Sequence, residues 1–90
     1  MRVISQDGKI DIPYEGFAFS ILDSGGGNYG IVAVKNVAEP PVTFMNSIIA
    51  TYSAEAKAIK TMRMLREVYR FYNDADNGIF CFPQDNEIEV

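Results

Sequence analysis

The chain contains no histidine and no tryptophan, and it has a single cysteine, Cys81. Without histidine it lacks the usual general base, the commonest metal ligand and the base partner of Ser–His and Cys–His nucleophile pairs. One cysteine forms no internal disulfide and no multi-thiolate zinc site, and it fits a reducing compartment. Carboxylates and lysines remain, but the composition points away from an enzyme and from any metal or cofactor. No run approaches 18 apolar residues, as a membrane-spanning helix requires. No early basic stretch leads into an apolar run, so no signal peptide is expected and the expected location is cytoplasmic.

The 90 residues suffice for one domain, 1–90, ending in an acidic tail over 84–90. A 48% hydrophobic and 22% charged composition excludes a wholly disordered chain. The net charge of −4 argues against a general nucleic-acid coat. A chain this short hides only roughly 60% of its unfolded surface, so a second subunit would help stability. A homodimer or higher oligomer is therefore expected.

The pattern predicts an α+β domain: an antiparallel sheet of four to six strands packed on one long helix. Val3–Ser5 and Ile10–Ile12 flank Asp7-Gly8, which predicts a hairpin near 3–12 with a type I′ turn. Pro13 ends its second strand. Residues 17–22 are apolar on both faces, which predicts a central strand, and Tyr29–Lys35 returns from it. Gly25-Gly26-Gly27 lies in a flexible loop of about five residues between them. The triplet is not a phosphate loop, for it lacks the GK[ST] ending and a following helix.

Residues 42–50 read as a strand with Val42, Phe44, Ile48 and Ala50 on one face, and 44–50 as a short helix is the alternative. Ser53 reads as an N-cap and Glu55 suits the first turn of a helix over 54–72. Ala58, Met62, Leu65, Tyr69 and Tyr72 recur at steps of 4 and 3, with Ile59, Val68 and Phe71 widening the stripe. This stripe is expected to pack on Phe17, Phe19, Ile31 and Phe44. Asn73–Gly78 stops the helix. Its Asp74 and Asp76 lack the remaining ligands of a calcium loop. Ile79–Phe82 reads as a last strand, with Cys81 expected to be a buried, inert thiol.

The helix carries Lys57, Lys60, Arg63, Arg66 and Arg70 against Glu55 and Glu67, a net +3 that leaves −7 for the rest of the chain. That separation makes Lys60, Arg63, Arg66, Arg70, Tyr69 and Tyr72 the candidate anion site, with the tyrosines placed to stack a base. The opposing reading is a solvated face balanced by the acidic tail.

Met1–Glu15, Tyr52–Ala58 with Met62–Arg66, and Phe80–Asp85 together resemble short proteins encoded in prophages and integrative elements of Firmicutes. These blocks cover under half of the chain. The resemblance implies a bacterial cytoplasm and a mobile-element setting, where small proteins often bind a host factor or sequester a signalling nucleotide. It carries over no functional residue. The expectation is thus a non-catalytic interaction protein of a mobile element. An oligomeric sponge for an anionic nucleotide is the alternative, and a carboxylate-dependent enzyme comes third.

Overall fold

Short apolar strands punctuated by Gly, Pro and Asp lead into one helix, and the computed structural model describes residues 1–35, 46–71 and 78–89. The chain runs β1 (Arg2–Ile4), β2 (Asp11–Pro13), a 3-10 turn (Tyr14–Gly16), β3 (Phe17–Gly25) and β4 (Asn28–Lys35). It continues through β5 (Asn46–Tyr52), α1 (Glu55–Phe71), β6 (Ile79–Cys81) and a second 3-10 turn (Asp85–Glu87). The α+β class expected from the sequence is present, but the strands form two three-stranded sheets, ordered β2-β1-β6 and β3-β4-β5. The single sheet of four to six strands is therefore corrected. Pro13 has no N–H to extend the ladder, and the 3-10 turn after it carries the chain out of the first sheet. Strand β6 joins that sheet in this same chain, parallel to β1, with Val3 opposite Phe80.

The β3–β4 hairpin is tighter than expected and the β1–β2 hairpin wider, with the Ser5 N–H donating to the Ile10 carbonyl across residues 6–9. Between β1 and β2, Gly8 alone has positive φ (77°), so the turn is not type I′. The Asp7 carboxylate instead accepts from the Ser5 hydroxyl (2.6 Å) and the Lys9 N–H (2.9 Å), while Gly8 N–H donates to the Ser5 carbonyl. Strands β3 and β4 pair as far as Gly25–Asn28, leaving a two-residue loop, Gly26-Gly27, with φ of 63° and 83°. Positive φ at both positions fits a primed turn, which matches strand twist.

Strand β3 lies at the edge and β4 at the centre, which corrects the expectation that residues 17–22 form a central strand. Residues 46–50 are strand, as preferred over helix; Val42 and Phe44 lie outside the described residues. A bulge lets Ile31 face Ala50 and Val32 face Ile48, so Ile49 has no partner of its own. Ile49 and Ala50 therefore both turn inward (2% and 3% exposed) and Ile48 turns out. This corrects the expected pairing of Ile48 with Ala50 on one face.

Helix α1 buries Ala58, Thr61 and Leu65, half-buries Met62, Met64, Val68 and Tyr69, and exposes Ile59 and Phe71. The stripe is thus rotated from the expected one, toward Thr61 and away from Ile59 and Phe71. Thr61 tolerates full burial because its hydroxyl donates to the Lys57 carbonyl (2.9 Å). Ser53 is not the helix cap. Its N–H and hydroxyl both donate to the Asp85 carboxylate, at 2.8 Å and 3.0–3.1 Å. Cys81 is exposed, not buried, because Phe80 and Phe82 on either side take the inward positions. One hydrophobic cluster joins the sheets, running from Val3, Phe80 and Phe82 to Ile31, Ile49, Tyr52 and Leu65. No described helix is long and apolar enough to cross a membrane.

Candidate functional site

Two surfaces stand out. The first is a groove of about 420 Å³ between the start of β3 and helix α1. Phe17 and Phe19 reach it from β3, Met62, Leu65, Arg66 and Tyr69 from the helix, and Tyr14 and Glu15 from the 3-10 turn. Tyr14 stacks on Tyr69 (centroids 4.2 Å apart) and on Phe19 (5.6 Å). The three rings together make an aromatic wall.

Charge sits at the rim. Glu15 lies 3.2 Å from the Met1 amine, and its carboxyl is held below the usual range, first by its own backbone N–H and then by that amine. Desolvation, and then the Glu15 charge, push the Tyr69 hydroxyl upward. Arg66 lies beside the wall. At about 100° per residue, Arg63, Arg66 and Arg70 fall within roughly 60° of helix arc. All three are exposed and form no ion pair with a described residue.

Of the candidate anion-site residues, the structure brings Arg66 and Tyr69 to one groove and places Arg63 and Arg70 on the adjoining helix face. Lys60 is turned away, donating to the Glu89 carbonyl in the acidic tail. Lys57 likewise meets Asp85 at 3.3 Å. Tyr72 lies outside the described residues. Among the described residues, the tail thus engages Lys57 and Lys60 but none of the arginines. Sequence reasoning missed Tyr14 and Glu15 as groove residues; the signal was Pro13, which turns the chain and aims both back at the helix.

The second surface is the face of β3-β4-β5 turned away from the core. Register aligns Leu22 with Gly30 and Thr51, Ser20 with Val32 and Ile48, and Ala18 with Val34. No residue in this set is charged. Leu22 is 48% exposed and Ile48 51%. A Cβ at Gly30 would come 3.2 Å from the Ile48 side chain, closer than ordinary van der Waals contact. Comparison with family models, curated proteins and solved structures finds no match.

Proposed function

We propose that this chain is a non-catalytic interaction protein that docks another protein on the outer face of β3-β4-β5. The observation that carries the reading is the uncharged sheet face on which Leu22 and Ile48 stay half exposed. Half-exposed aliphatic side chains on one continuous face are costly to leave in water and typify docking surfaces. The absence of histidine supports a binding role over a catalytic one. The resemblance to mobile-element proteins supports a host protein as partner. A photo-cross-linking residue placed at Leu22 or Ile48 should give protein adducts in host cells, and one placed at Arg2 should give none. Equal labelling at all three positions would sink the reading.

A second reading, an anionic nucleotide held by an oligomer, is favoured by the meeting of Arg66 and Tyr69 at one groove. Against it, Tyr69 already gives one ring face to Tyr14. A nucleotide panel that leaves the melting temperature unchanged would exclude it, since any ligand of the native state raises that temperature.

A further inference from the structure

Strand β3 forms one edge of its sheet, so alternate residues point their N–H and C=O groups away from β4. Among the described residues, no hydrogen bond outside the strand pairing reaches the Ala18–Leu22 backbone. The other edge of this sheet is closed: at β5, Gln6 N–H donates to the Ile49 carbonyl, and the Gln6 side-chain amide pairs with the Thr51 N–H and C=O. The open edge is also the one that borders the aromatic groove. An extended segment added to β3 would satisfy the ladder groups that no described residue pairs with and drop alternate side chains between β3 and α1.

We propose that the β3–α1 groove binds an extended acidic peptide segment of a partner protein, which adds to β3 as a fourth strand, seats an apolar or aromatic side chain against Tyr14, Phe19 and Tyr69, and places a carboxylate at Arg66. This rests on the reading of the chain as an interaction protein and names the partner's chemistry. Charge selects the occupant. Arg66 lines the groove and Arg63 and Arg70 lie on the adjoining helix face, none in an ion pair with a described residue, while Glu15, the acidic member of the lining, is paired with the Met1 amine; an acidic segment therefore gains where a basic one is repelled. Pairing β3 with β3 of a second copy would bring two such arginine wedges face to face, which disfavours self-association there.

The probe is a blocked, fluorescently labelled peptide as long as β3, alternating valine and threonine, with a central phenylalanine and glutamates toward one end. It should raise anisotropy saturably and move the Met62 methyl resonance. Replacing its glutamates by lysines, or Arg66→Glu in the protein, should weaken binding roughly tenfold or more. Arg66 is exposed, so the fold should survive the change. N-methylation of alternate backbone amides in the peptide should abolish binding, because the ladder bonds are lost. Three results would each overturn the proposal: no saturable binding, equal binding of the N-methylated peptide, or indifference to Arg66→Glu. So would a Met62 shift produced by ATP but not by peptide, or one that tracks protein concentration alone. Cross-links at Leu22 and Ile48 with a silent groove would overturn this proposal and leave the interaction reading standing; peptide binding without those cross-links would do the reverse for the outer face.

Discussion

Gln6 shows how much one side chain does in a chain this small. Its amide oxygen accepts the Thr51 N–H (2.9 Å), and its amide nitrogen donates to the carbonyls of Thr51 (3.2 Å) and Pro83 (3.0 Å). The side chain thus behaves as a short piece of strand laid along β5. Gln6→Ala strips all three contacts, and urea unfolding should show a loss of about 1–3 kcal/mol. Gln6→Glu should lose at least as much at neutral pH, since a carboxylate would face two carbonyl oxygens. Tyr52 reaches the same Pro83 carbonyl with its hydroxyl (2.8 Å) and is 1% exposed. Burial pushes its phenol up to about 12 from 10.0. Because the folded value is the raised one, this contribution is full below pH 10 and fades as pH climbs toward 12. Stability measured across that window should fall, and Tyr52→Phe should flatten the fall while costing about 1 kcal/mol at neutral pH.

At the scale of elements, the start of α1 is held by the far end of the chain. Asp85 accepts the Ser53 N–H and hydroxyl and meets the Lys57 ammonium. Its carboxyl is held below the ordinary value, first by the Ser53 backbone N–H and then by the Ser53 hydroxyl and Lys57. A lowered folded value stabilises the fold above the unfolded value of 3.8 and ceases to do so as pH falls below it. Asp85→Asn should therefore lower the melting temperature at pH 7 and show a shallower decline than the parent on acidification. A parallel decline of the two proteins would contradict the assignment. This joint also marks where the sequence stopped being readable. The helix, the β3–β4 hairpin and the last strand follow from local pattern, and all three lie within two or three residues of where periodicity puts them. The pairing of β6 with β1, the bulge at Ile49 and the Gln6 clamp depend on residues up to 77 positions apart, and no local spacing encodes them. The candidate site was half legible. Arg66 and Tyr69 were visible as helix neighbours, but Tyr14 and Phe19 join them only through the fold. The lysines looked equivalent to the arginines until the tail engaged them.

For the whole molecule, the question is whether two small sheets make one cooperative unit. A lone three-stranded sheet is near the lower limit of independent stability. Here neither stands alone, because Val3, Phe80 and Phe82 of one side share a single cluster with Ile31, Ile49, Tyr52 and Leu65 of the other. Ile88, from the segment after β6, is 5% exposed within that cluster. The segment before it supplies the Pro83 carbonyl, the Gln84 amide to the Gln6 carbonyl (2.8 Å) and the Asp85 carboxylate. Removing a buried Ile side chain to Ala costs about 2–5 kcal/mol. For a domain whose total stability is of order 5 kcal/mol, that is a large share of it. If the C-terminal segment couples the sheets, Ile88→Ala should lower the protection of β1 and β4 amides against hydrogen exchange by the same free energy, and calorimetric and van't Hoff enthalpies of the parent should agree. Loss of protection confined to β1, with β4 unchanged, would mean that each sheet keeps its own stability and the shared cluster does not bind them into one folding unit.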